Sequence, residues 1–362
     1  MTTDLDSLLR DVINDAAGQA RPVNLTRAAL RTARHNRITR QVTAGTVAVV
    51  VAGTLAGGYA LASAHRATAP TTTRPTVTAP GQQATPSVDD QPVPLPGGWY
   101  LAGGTGEGGV WVYDRVRQAY RLLPYHWAWP APTGDLVAVE DVPDTPGGGR
   151  FGVLDLRDGT VRWLTEDAGI VGAPEWTADG TRLVYLPTDG SEQLRQEVDV
   201  ADAVTGQVAV GVGATDACTL NCSVTWLPGD AEIAVSRWRG DPMVPDGMIA
   251  FDATNGAHTR TLIVQAGSSH AWSPNGRYVV TSVLTGGTRR VGIVDSATGD
   301  VVSVLSGVTD DRTVYWAGPD ILLAIEHGAV AVLSLAGDQV GTYPLPAEFI
   351  DDELPSFTLA RG

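Results

Sequence analysis

Few residues in this chain are suited to chemistry. Only six of its 362 residues are His. Two of them, His126 and His270, stand just before Trp-centred segments. An imidazole titrates near neutrality, so either could hold a polar ligand or pass a proton. Trp127, Glu175 and Ser223 occupy comparable places before later Trp residues. These five residues form the candidate ligand set, and the plainer reading makes them hydrogen-bonded residues at strand ends. The only cysteines, Cys218 and Cys222, lie in the run CTLNC. Outside a membrane they could close a small disulfide loop. The alternatives are free thiols and a metal site, but no His or second Cys pair nearby completes a ligand set.

Catalytic signatures are missing from the sequence. There is no G-x-S-x-G elbow and no hydrolase domain after the last repeat. H-E-x-x-H, a Walker loop and a dinucleotide fingerprint are also absent. The S-x-D-x-G box of sialidases is not matched, because Asp179 and Gly180 are adjacent. The expectation is therefore a protein that is not an enzyme, with no cofactor and no metal.

Charge narrows the partners. The formal net charge is −15, and all 25 basic residues are Arg. Residues 1–41 hold seven Arg against four Asp, which leaves the remainder at −18. Such a surface repels phosphate backbones, so nucleic acid is not an expected partner.

The elements that carry the candidate residues begin with a membrane anchor. From Gln41 to Ala64 no residue is charged, and about 20 apolar residues cross a bilayer core. Arg27, Arg31, Arg34, Arg37 and Arg40 precede the run, and few charges follow it closely. The positive-inside rule then places the N-terminus in the cytoplasm and residues 65–362 outside. Ala62-Ser63-Ala64 resembles a signal-peptidase site, but the apolar run and the region before it exceed signal-peptide lengths. The expectation is one uncleaved transmembrane helix over 41–64, in contact with the lipid bilayer.

Residues 1–40 form a short cytoplasmic head. Leu5, Leu8, Leu9, Val12 and Ile13 fall at helical spacing and make one apolar stripe among Asp4, Asp6, Asp11 and Asp15. The stripe is too small to be a core. It either docks on a cytoplasmic regulator through residues 1–20 or is helical only in passing. A basic helix capped by Asn24 follows, its Arg residues reaching toward headgroups. Residues 65–97 are rich in Pro and Thr and nearly free of large apolar residues. Such a stalk stays extended, with a reach of up to roughly 100 Å.

Residues 98–362 repeat. A Trp, a turn and an apolar strand recur as Trp129-PAPTGDLVAV, Trp176-TADGTRLVYL, Trp226-LPGDAEIAVS, Trp272-SPNGRYVVTS and Trp316-AGPDILLAIE, spaced by 47, 50, 46 and 44 residues. A second element follows each: an alternating strand ending in Asp, a Gly-containing turn and another strand. Asp155, Asp202 and Asp252 each lie 26 residues after their Trp. An Asp can bond the backbone of its own turn, and Gly159, Gly206, Gly256 and Gly299 supply the left-handed position of a hairpin. One four-stranded sheet cannot bury both faces, but six arranged radially can.

WTADGTRLVY and WSPNGRYVV resemble the repeats of TolB-like, WD-repeat-related β-propellers. The likeness covers roughly residues 98–350; the Trp226 and Trp316 copies are degenerate. It implies an all-β fold, a β-propeller of about six blades, with seven as the alternative. Either the strand near Trp99–Ala102 or the tail 356–360 would close the ring. It also implies that His126, Trp127, Glu175, Ser223 and His270 begin innermost strands at the channel mouth. The whole layout resembles that of actinobacterial single-pass membrane proteins. The functional expectation is an extracytoplasmic module that binds or scaffolds a protein or cell-envelope ligand. Two others stand beside it: a transmembrane signalling protein whose head binds a regulator such as a sigma factor, and a propeller-based lyase or glycosidase. The last requires paired carboxylates at the channel mouth.

Overall fold

The computed structural model describes residues 91–106, 109–141, 149–166, 168–188, 197–213, 223–238, 245–308, 313–326, 328–349 and 357–361. The head with its stripe Leu5 to Ile13, the span 41–64, most of the stalk and both cysteines lie outside these residues. Among the described residues no helix is long and apolar enough to cross a membrane.

The repeats fold as six antiparallel sheets. Blade 2 is the plainest: β4 (Trp127–Pro130), β5 (Leu136–Asp141), β6 (Arg150–Asp155) and β7 (Val161–Thr165) pair in chain order. Blade 3 repeats it with β8 (Glu175–Trp176), β9 (Arg182–Tyr185), β10 (Glu197–Asp202) and β11 (Val208–Gly213). Blade 4 uses β12 (Val224–Trp226), β13 (Glu232–Trp238), β14 (Pro245–Asp252) and β15 (His258–Leu262). Blade 6 uses β19 (Val314–Trp316), β20 (Ile321–Glu326), β21 (Ala329–Ser334) and β22 (Gln339–Pro344).

Blade 1 closes the ring. Its three N-terminal strands, β1 (Trp99–Gly106), β2 (Gly109–Asp114) and β3 (Ala119–Leu123), take their innermost neighbour from the end of the chain, β23 (Phe357–Arg361). The register runs from Trp99 opposite Arg361 to Gly104 opposite Phe357. The two segments expected as alternative closures thus pair with each other.

Blade 5 departs from the expected four strands. Only β16 (Tyr278–Thr285), β17 (Thr288–Asp295) and β18 (Val301–Val304) form its sheet. Its first strand shrinks to one bridge between Trp272 and Val279, preceded by a 3-10 turn over Ser269–Ala271. Gly267-Ser268-Ser269-His270 lacks the alternating β-branched residues that hold an edge in a sheet.

The apolar cores lie between blades. Trp176 packs with Phe151 and Val153 of blade 2 and with Leu183 and Tyr185 of its own blade. Trp226 joins blades 3 and 4, Trp272 and Trp316 join blades 4, 5 and 6, and Leu359 of β23 lies in the core shared by blades 6 and 1. Trp226 is only 1% exposed, and burial of such a side chain contributes about 3 kcal/mol. Three of these Trp also stitch blade to blade. The indole N–H of Trp176 donates to the Trp129 carbonyl at 3.0 Å. Trp226 donates to Glu175 O at 2.9 Å, and Trp316 to Ala271 O at 2.8 Å.

The outer hairpins follow the sequence rule. Asp202 Oδ1 accepts the N–H groups of Val204 and Thr205 at 3.0 and 2.7 Å, and Asp252 Oδ1 those of Thr254 and Asn255 at 2.8 and 3.1 Å. Gly206 and Gly256 close the turns at φ +74° and +71°. Blade 1 differs: Gln118 takes the left-handed conformation, φ +54°, where the other turns have Gly.

Candidate functional site

Strand order decides which residues meet. In an up-and-down blade, the first strand starts at the end of the ring opposite the hairpin between the third and fourth strands. Glu175 opens β8, His126 directly precedes β4, Ser223 directly precedes β12, and His270 sits in the turn before Trp272. All therefore lie toward the end away from the Asp turns.

Glu175 is the centre of this end. It is 9% exposed, and its Oε2 accepts the Ser269 N–H at 3.0 Å and the Ser269 hydroxyl at 2.6 Å. The contact passes from blade 3 to blade 5 and skips blade 4, so it joins two blades that are not neighbours in the ring. Burial pushes the carboxyl up to about 7, and the two bonds from Ser269 offset part of that rise. A charged carboxylate costs free energy in a dry site, while hydrogen bonds to its charged form lower that cost.

Next to Ser269, the His270 ring lies flat on Tyr315 of β19, with centroids 3.7 Å apart and planes 6° apart. The Tyr315 hydroxyl donates to Phe357 O of the closing strand at 3.2 Å. Burial holds this phenol above its usual range, and the nearby Glu175 charge adds to the effect. Contacts therefore run from blade 3 to blade 5, blade 6 and the strand that closes blade 1.

The other three expected residues sit in separate contacts. Ser223 Oγ bonds the hydroxyl of Ser236 on β13 and lies 3.5 Å from Ala266 O. His126 meets Trp127 edge to face at 5.2 Å, and its backbone N–H donates to the Glu140 backbone carbonyl at 2.9 Å. Trp127 stacks near Trp129 at 6.3 Å. Sequence reasoning missed Ser269 and Tyr315, the residues that complete the cluster. It also missed Glu140, a buried carboxylate that accepts the Ile170 N–H at 3.1 Å. Ser269 lies 94 residues from its partner, and no local pattern encodes such a pairing. Among the described residues no group of three His, Cys, Asp or Glu is placed to hold a metal ion.

Neither a family model nor a curated protein matches this sequence. Among solved structures, TolB from Acinetobacter baumannii is similar, with a TM-score of 0.51 at 18% identity over 72% of this chain and 66% of that one. The fold is that of a TolB-like β-propeller. The match spans just under two thirds of the TolB chain. The β-propeller domain of the Trilobed protease from Pyrococcus furiosus is also similar, at 13% identity and a TM-score of 0.45, over 74% of this chain and 83% of that one.

Proposed function

We propose that this protein is a membrane-anchored, extracytoplasmic propeller that binds or scaffolds a protein or cell-envelope ligand. The observation that carries the reading is the closed six-bladed ring. Residues at the start of its inner strands tie blades 3, 5 and 6 to one another through Glu175, Ser269, His270 and Tyr315. A ring closed in this way is a rigid frame whose loops can present a binding face. The TolB-like fold supports a binding module, and fold-level analogy goes no further. The uncharged run 41–64 with Arg before it supports the anchor and its orientation.

The test is crosslinking of the full chain in intact cells, with protease shaving of the same cells. The reading requires that external protease remove the C-terminal domain and that a discrete envelope protein or polymer be captured. A propeller shielded from protease, or turnover of a substrate by the purified chain, would contradict it.

A second reading rests on the acidic stripe Leu5, Leu8, Leu9, Val12 and Ile13 before a single span. In it the head binds a cytoplasmic regulator such as a sigma factor while the propeller senses outside. Recovery from a lysate of nothing beyond what a scrambled 1–40 peptide recovers would end that reading.

A further inference from the structure

An open groove of about 390 Å³ lies beside blade 1, where the stalk enters the propeller. Three aromatic residues line it, Trp99, Tyr100 and Tyr113, together with Pro92, Pro94 and Gln118. The rings are fixed. Tyr100 and Tyr113 meet edge to face at 5.6 Å. The Arg361 guanidinium covers Trp99 at 4.9 Å, and Arg115 covers Tyr100 at 5.4 Å while donating to its hydroxyl at 2.5 Å.

One further feature marks the groove. Gln118 holds the left-handed conformation that glycine fills in the equivalent turns of blades 2 to 5. Such strain persists only where surrounding contacts over-determine it. Here the Gln118 carbonyl accepts the Gln91 side-chain N–H at 2.8 Å, and the Tyr113 hydroxyl donates to Gln91 Oε1 at 3.0 Å.

The chain itself sets a proline-rich segment beside these rings. Pro92 and Pro94 of its own Gln91-Pro92-Val93-Pro94 line the groove, and Gln91 anchors the segment to Gln118 and Tyr113. Proline-rich segments are extended, make no internal backbone hydrogen bonds and lose little entropy on binding. Aromatic-lined grooves are their usual receptors. Residues 65–90 are such a segment, with Pro70, Pro75, Pro80 and Pro86. We infer that the blade 1 groove binds a second extended proline-rich strand, supplied by the 65–90 segment of another copy of this chain. The stalk of one copy would then dock on the propeller of the next.

The test uses the full chain and a fluorescent peptide of residues 68–80, TAPTTTRPTVTAP. Saturable binding is expected. It should weaken at least tenfold when the three prolines of the peptide become Ala, and likewise in the Trp99→Phe and Tyr113→Phe variants with unchanged melting temperatures. The mass of the full chain, followed over a hundredfold concentration range, should show association that Trp99→Phe reduces. Three results would overturn the inference: no saturable binding, binding indifferent to the prolines or to both variants, or peptide binding by a chain that stays monomeric throughout. The last would give the groove to a different partner.

Discussion

The hairpins between the third and fourth strands of blades 2 to 5 are near-copies, whereas the residues that begin the innermost strands share almost nothing. At the hairpin end an Asp carboxylate collects backbone N–H groups and a Gly closes the turn, blade after blade. At the other end Glu175 reaches past blade 4 to Ser269, His270 lies on Tyr315, and blade 5 gives up its first strand. Repetition builds the frame because each sheet faces the same problem of burying two faces. Departure from it marks the places where one blade does something the others do not.

Four expectations can break or sharpen that contrast. The largest concerns closure. Removal of residues 357–362 takes away β23, its ladder with β1 and the buried Leu359. The frame is then an open chain of sheets, and its stability should fall by an amount on the order of the whole folding free energy. Thermal unfolding followed by circular dichroism should lose its cooperative transition. Retention of a sharp transition would mean that the blades stand without the ring.

Next comes the buried carboxyl. Its folded pKa, about 7, lies above the ordinary value of 4.5, so between these pH values the folded state binds more protons than the unfolded state. Stability contributed by the protonated form is complete below pH ~4.5 and is lost as pH rises through ~7. The Glu175→Gln variant should be about 3 kcal/mol more stable than the parent at pH 8 and equal to it near pH 4. Denaturant titrations across that range measure the difference. A constant gap would place the carboxyl in water.

A smaller effect separates two of the repeat tryptophans. Trp226 donates to Glu175 O, while the Trp272 indole N–H has no acceptor among the described residues. Trp226→Phe should therefore cost about 1 kcal/mol more than Trp272→Phe. Equal costs would mean that the stitch adds nothing to packing. The smallest effect is at Gln118. Gln118→Gly relieves the left-handed backbone and should stabilise the frame by up to about 1 kcal/mol, read as a rise of a few degrees in melting temperature.

How much of this was legible follows from the same contrast. The Trp spacing and the Asp-Gly turns are local and repeated, so they announced the sheets, the hairpins and a ring of about six blades. The sequence offers Trp99–Ala102 and the tail 356–360 as alternative closures, and the ring uses both, one paired with the other. Glu175 drew notice by its position before Trp176, but its partner could not, since Ser269 is brought near only by the curvature of the whole ring. Blade 5 misled most. Its Trp272-SPNG turn matches the repeat well, yet the residues before that Trp form a 3-10 turn instead of a strand. Turn chemistry was readable there, and the missing strand was encoded only by weak β propensity.

The central claim is that the non-repeating end of the ring holds a dry cluster, built on Glu175, that joins blades which are not neighbours. Carbon-13 NMR titration of the glutamate side-chain carboxyls, with Glu175 assigned by its disappearance in Glu175→Gln, tests this directly. The account predicts a midpoint near 7 for that one resonance. A midpoint near 4.5, the ordinary value, would contradict it.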